Sequence, residues 1–231
     1  FATWPNRKLV FCQNQFLTYR GLGGERDYSR FGICFVLCES THVLRFFRRR
    51  MPSLPALVLP PYVDRGLFNL QPQKRLQIAY APRKRPLEAA FIQDLLRAEY
   101  AEFRSIPWVK ISGCPPCDVA RILKESAVYL SLCRFEALSL SALEAFACGC
   151  ITAGFTGFGA REFTTAKNGF WTEEDDCLEC VTQLAHAIRL FATGGPPYRD
   201  MIEAAQLSVG YYNRERFDKG LVDFWQAFLS G

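Results

Sequence analysis

Residues 32–38 read GICFVLC, and residues 8–12 read KLVFC; both are apolar runs without alternation. A strand with one wet face alternates polar and apolar positions, whereas a strand covered on both faces does not. These runs therefore predict parallel strands. Between them and the next short run, 56–59, Ser40 or Thr41 can cap a helix carrying Val43, Leu44, Phe46 and Phe47 that ends before Pro52. The alternation continues with strands at 76–80, 108–111, 128–132 and 151–153 and helices at 87–98, 118–125 and 141–148. Such β-α-β succession predicts a doubly wound parallel sheet with helices on both faces. Behind it, Leu178, Val181, Leu184, Ala185, Ile188 and Phe191 recur at helical spacing after the acidic run 173–176. A last helix, 213–229, is capped by Asn213.

In open sheets of this type ligands bind beyond the carboxyl ends of the strands. The loops 81–85, 112–116, 133–140 and 154–159 are accordingly expected to border one crevice. The polar stretch 69–74 reads as a linker, dividing the chain into 1–68 and 69–231, with helix 213–229 packing back on the first part.

Composition narrows the function classes. No apolar run approaches the ~18 residues of a membrane span, and residues 1–7 lack the basic-then-apolar order of a secretory signal. The first residue is Phe1 rather than methionine, as in a piece of a longer protein. The ten cysteines sit mostly in apolar runs, as reduced and buried thiols do, and point to a cytoplasmic protein. Two C-x-x-C pairs, Cys114 with Cys117 and Cys177 with Cys180, are too far apart for a zinc ribbon. The formal net charge of +5 is partly bunched at Arg45, Arg48, Arg49 and Arg50 and at Arg83, Lys84 and Arg85. Basic residues are not interleaved with aromatics as in a nucleic-acid surface. Phe46 to Arg50 leaves room for peripheral membrane contact.

Glu136 and Glu144 are separated by seven residues. The first follows the end of strand 128–132 and the second lies one turn into helix 141–148, so both carboxylates are expected to face the crevice. Between them Ala137, Leu138, Ser139 and Leu140 lead into a helix whose free N–H groups and positive end can take a phosphate. A carboxylate can accept two hydrogen bonds from a vicinal diol, and Arg83, Lys84 and Arg85 supply the cations an anionic ligand requires.

The run RFEALSLSALEAFACG, 134–149, resembles the E-x7-E signature of retaining glycosyltransferases with the GT-B fold, the glycosyl transferases group 1 type. After it, 150–159 with its glycine loop, and then Asn168-Gly169-Phe170, are similar to the family's strand, loop and N-G turn. Before it, 36–40 and 57–64 resemble the end of the amino-terminal domain and the interdomain linker. The resemblance implies a Rossmann-like carboxy-terminal domain at 69–231 and a remnant of the amino-terminal domain at 1–68. By it, Glu136 would sit near the anomeric carbon of the transferred sugar as the catalytic residue, and Glu144 would hold the ribose. Arg83, Lys84, the backbone around Leu138, Ser139 and Leu140, and the glycine loop with Gly157 would complete the donor site. No cofactor and no metal are implied, because leaving-group charge is handled by cations and N–H groups. The partners implied are a nucleotide-sugar and a glycan or lipid-linked acceptor.

Two departures bear on this. Ala137 and Ser139 stand where the family usually has glycines, which restricts the turn and the approach of a phosphate. The amino-terminal half, which normally supplies the acceptor site, is nearly missing, so a partner subunit or the remainder of a longer chain would have to supply it. A non-catalytic nucleotide-binding or interaction module is the alternative reading. His42 and His186 fall in helical stretches and read as structural. Gly21, Gly23 and Gly24 lack the dinucleotide-binding spacing and read as a loop.

Overall fold

The structure is a computed structural model, and it describes residues 7–230. The amino-terminal stretch compared with a signal sequence lies, but for Arg7, outside the described residues. Two parallel sheets form the frame. The first has strands β1 (Lys8–Cys12), β2 (Ile33–Cys38) and β3 (Ala56–Val58) in the order β1-β2-β3. The second has β4 (Arg75–Tyr80), β5 (Trp108–Lys110), β6 (Ser126–Leu132), β7 (Ile151–Phe155) and β8 (Phe170–Thr172) in the order β5-β4-β6-β7-β8. Every strand pairing is parallel, as the unalternated apolar runs predict.

Among the described residues eight α-helices connect and cover the strands: α1 (Gln15–Gly21), α2 (Thr41–Arg50), α3 (Pro86–Glu99), α4 (Pro116–Glu125), α5 (Leu140–Cys148), α6 (Cys177–Thr193), α7 (Gly195–Gly210) and α8 (Arg214–Ser230). The larger sheet is covered on both faces. Ile78, Val128, Leu130 and Ile151 point to one side, against Ile92 and Leu96 of α3 and Val181 and Leu184 of α6. Ala79 and Tyr129 point to the other, against Leu123 of α4, Ala142 and Phe146 of α5 and Val209 of α7. Alternate residues of one strand thus feed two cores, which is why β6 is buried along its whole length.

Helix α8 leaves the larger sheet and lies across the smaller one, where Phe224 packs with Leu37 and Leu59 and its ring sits 5.0 Å from that of Phe35. The two sheets also meet directly. Ala137, from the loop after β6, is buried among Cys12, Val36, Cys38 and Val43 of the smaller sheet's core. Glu162 accepts from the backbone N–H of Thr41 at 2.5 Å and of His42 at 3.2 Å, and from the Thr41 hydroxyl. It therefore places a carboxylate at the positive end of α2, beside the Ser40 cap that accepts from Val43 N.

Three elements escape the sequence reading. Helix α1 is short and starts from Asn14, whose side chain accepts from Phe16 N and Leu17 N; the glycines read as a loop terminate it, with Gly23 and Gly24 at φ +68° and +69°. Helix α7 begins in Gly-Pro-Pro, which masks a helical stretch, and β8 is three residues long. The apolar side of α2 is used internally: Phe47 is fully buried and Phe46 packs against the same core, leaving Arg45, Arg48 and Arg49 exposed. The outer face of this helix is mainly basic. Among the described residues no helix is long and apolar enough to cross one.

Candidate functional site

At the carboxyl ends of the strands the two sheets enclose a cavity of about 400 Å³. Its lining comes from both: Gln13 and Asn14 after β1, Glu39 after β2, Arg83 and Lys84 after β4, Cys133, Glu136 and Leu138 between β6 and α5, and Leu140 and Ser141 in the first turn of α5. Asn14 Nδ2 ties the two sides together by donating to Phe135 O at 2.8 Å.

Lys84 Nζ is ion-paired with Glu136 Oε1, each side chain roughly one-fifth to one-quarter exposed. The other oxygen of Glu136 accepts from Cys133 Sγ at 3.1 Å. Burial pushes the Cys133 thiol up to about 12, with the Glu136 charge adding to it, so this group remains a thiol and a donor. Arg83 is exposed at the rim and makes no ion pair among the described residues.

Helix α5 begins at this cavity without a side-chain cap: Ser139 is its N-cap, with the hydroxyl 3.5 Å from that of Ser141. Its first intrahelical bond is Leu143 N to Ser139 O, which leaves the N–H groups of Leu140, Ser141 and Ala142 without a carbonyl partner in the helix. Ser139 itself is fully buried beneath the turn. An uncapped helix start beside a lysine and an arginine is chemically an anion site. The turn 133–139 contains no residue at positive φ, so Ala137 and Ser139 cause no backbone strain where glycines were expected. The Ala137 methyl instead fills the contact between the two sheets.

Several expected residues stand elsewhere. Arg85 is fully buried: Nε donates to Cys133 O at 3.1 Å, Nη1 to Asp175 at 2.6 Å, and Nη2 pairs with Glu174, while the guanidinium lies 4.4 Å from the Phe155 ring centre. It holds the base of the 133–140 loop rather than facing a ligand. This also explains part of the acidic run before α6: only Asp176 caps that helix, through Glu179 N.

Glu144 does not line the cavity. It lies three residues beyond Ser141, on the same helix face, half-buried and with no hydrogen bond or ion pair among the described residues. Burial raises its carboxyl to about 7. Tyr129, on β6, feels the charges of both Glu136 and Glu144.

The loops 112–116 and 154–159 do not border the cavity either. The first follows edge strand β5, one strand too far out. The second lies underneath: a Cβ on Gly157, at φ +56°, would stand 2.7 Å from Cys133 C, and one on Gly159 would stand 2.8 Å from Glu136 O. Gly157 thus supports the loop from below.

The residues missed from sequence are those the smaller sheet contributes. Glu39 is only 5% exposed, and burial, reinforced by Glu136 and partly offset by Lys84, raises its carboxyl to about 7. A glutamate ending an otherwise apolar run was the available signal. All ten cysteines are free; six are buried as expected, whereas Cys34, Cys114 and Cys177 are partly exposed and Cys117 is exposed. No group of three or more His, Cys, Asp or Glu that could hold a metal occurs among the described residues.

A doubly wound parallel sheet with helices on both faces, joined to a smaller parallel sheet across a cavity that holds a helix start, is a Rossmann-like fold of the kind seen in solved GT-B glycosyltransferases. Residues 110–208 match the family of glycosyl transferases group 1. The chain is 25% identical over 192 residues, 81% of its length, to an alpha-1,6-glucosyltransferase of Actinobacillus pleuropneumoniae serotype 7 (strain AP76), and spans 58% of that protein. Its fold superposes with a TM-score of 0.71 on a TarM mutant of S. aureus solved with fondaparinux, alpha-GlcNAc-glycerol and UDP, at 11% identity, covering 88% of this chain and 46% of that one. With sucrose-phosphate synthase from Thermosynechococcus elongatus the TM-score is 0.70 at 14% identity, over 99% of this chain and 69% of the other. The family match spans residues 134–149, and the fold is the one that the resemblance implied.

Proposed function

We propose that this chain is the donor-binding part of a retaining glycosyltransferase, which moves a hexosyl group from a nucleotide-sugar to a glycan or lipid-linked acceptor. The observation that carries this reading is the Lys84–Glu136 pair set beside the uncapped start of α5 in one cavity. The UDP bound by the structurally similar TarM supports a nucleotide donor.

In this reading the diphosphate lies against the free N–H groups at the start of α5, near the backbone of Ser139 and Leu140, with Arg83 and Lys84 as counter-charges. Charge that develops on the leaving diphosphate is stabilised by these groups, which are already oriented and need no metal. Glu136, neutralised by Lys84, stands next to the transferred sugar, where a carboxylate stabilises positive character at the anomeric carbon. Leu138 and Leu140 form the apolar wall, and Gly157 keeps the loop in place. A nucleotide extending from Ser141 along α5 meets Glu144 one turn on, where the partner-free carboxyl can accept from the ribose hydroxyls.

The test is calorimetric titration of the chain with UDP, GDP and their glucose conjugates, together with an assay for donor hydrolysis. Micromolar to millimolar binding of one nucleotide series, weakened at least tenfold by Lys84→Ala, is the expected outcome. Absence of binding and of hydrolysis across both series would overturn the reading.

A further inference from the structure

Glu39 follows β2 at the cavity, its backbone N–H donating to Cys12 O at 3.3 Å. Its side chain is more than nine-tenths buried, lines the cavity and has no hydrogen bond or ion pair among the described residues. A carboxyl so largely buried and without partners is costly unless something meets it, and the cavity it lines is where a ligand can do so. The other charged and titratable groups that line the cavity are Lys84 and Arg83 after β4, Tyr129 on β6, and Cys133 and Glu136 after it; the charges of Glu136 and Lys84 act on Glu39. Cys12 approaches it from β1, and Glu162 is bonded to the N–H groups of Thr41 and His42, just beyond it in the chain.

Resting on the donor-site reading above, we propose that Glu39 is a ligand-binding residue supplied by the smaller sheet, a neutral carboxylic acid whose O–H donates to a diphosphate oxygen of the bound nucleotide. The charge balance of the cavity argues for it. Lys84 has to serve both Glu136 and the diphosphate, so a diphosphate entering beside Glu39 is balanced by Arg83, a shared Lys84 and the helix start. An ionised Glu39 offers only acceptors and would repel the phosphate, whereas the protonated form supplies a donor. Its carboxyl is raised to about 7 by burial and Glu136 even in the empty cavity, and an approaching polyanion raises it further. Above that pH, binding therefore draws a proton from solvent onto Glu39. By linkage the affinity falls as pH rises, by up to about tenfold per unit.

The experiment is titration of the intact chain with UDP and GDP at pH 7 and pH 8, in two buffers of different ionisation heat, for wild type and Glu39→Gln. The glutamine keeps the size and a donor while removing the titration. Wild type is expected to take up up to one proton more than the variant and to lose up to tenfold more affinity between the two pH values. Comparing the two proteins cancels the ionisation of the nucleotide and of Glu144. Equal proton uptake and equal pH slopes would overturn the role of Glu39 while leaving the donor site standing. In a parallel titration with UDP-glucose, a variant that loses affinity for it but not for UDP would overturn the role too, by making Glu39 an acceptor for sugar hydroxyls. If wild type binds neither nucleotide, the donor-site reading itself fails, and this role with it.

Discussion

Arg85 Nη1 donates to Asp175 Oδ1 at 2.6 Å, and Asp175 is the only non-glycine residue at positive φ, +67°, among the described residues. A fully buried guanidinium thus fastens the loop before α6 to the loop after β6, since its Nε holds Cys133 O. Arg85→Ala leaves Glu174 without its cation and opens a hole beside Phe155. It is expected to cost about 3 kcal/mol or more, read as a lower urea midpoint. Any loss of nucleotide affinity should follow from the slackened 133–140 loop, so Arg85→Lys, which keeps the charge but not the fork of donors, is expected to recover only part of it.

Lys84 and Glu136 should separate binding from transfer. Lys84→Ala leaves two carboxyls, Glu39 and Glu136, facing the ligand without the paired cation, and nucleoside diphosphate affinity is expected to drop at least tenfold by calorimetry. Glu136→Gln removes a negative charge and should leave UDP affinity equal or tighter, while donor hydrolysis falls at least a hundredfold. A variant that lost binding and kept turnover would contradict the placement.

Glu144 predicts a pH signature in stability. Its carboxyl titrates at about 7 in the folded chain against the ordinary 4.5. Below 4.5 it is protonated in both states and costs nothing. As pH rises from there to about 7 the unfolded chain releases the proton first, so stability is lost over that window and stays lower above it. Glu144→Gln is therefore expected to match wild type at pH 4 and to exceed it by about 1–3 kcal/mol at pH 8 in urea unfolding.

Gly157 and Gly210 make a contrast. At Gly157 a methyl group meets the backbone of Cys133 and Arg134 at 2.7–2.8 Å and the φ of +56° is itself unfavourable for alanine. Gly157→Ala should lower the melting temperature and weaken nucleotide binding together. At Gly210, the last residue of α7, a methyl group meets nothing within 4 Å. Gly210→Ala should be neutral or raise the melting temperature by a few degrees.

The parallel pairing, the strands β1 to β7 to within about two residues, and the loop-to-helix segment bearing Glu136 were legible from sequence, because burial on both faces and helix periodicity are local patterns. So was the grouping of Arg83 and Lys84 with Glu136, since neighbouring strands end on the same side of a parallel sheet. What the sequence could not separate is Arg85 from its two basic neighbours. Only packing shows that its side chain turns inward to Glu174, Asp175 and Cys133 while Lys84 turns to the cavity. Tertiary structure also decided that Glu39, remote in sequence from Glu136, faces it across the cavity, while Glu144, seven intervening residues from Glu136, stands outside the lining. The physical reason is the same in each case: periodicity specifies which face of an element is apolar, but which polar groups meet depends on how two sheets dock, through Ala137, Glu162 and Asn14.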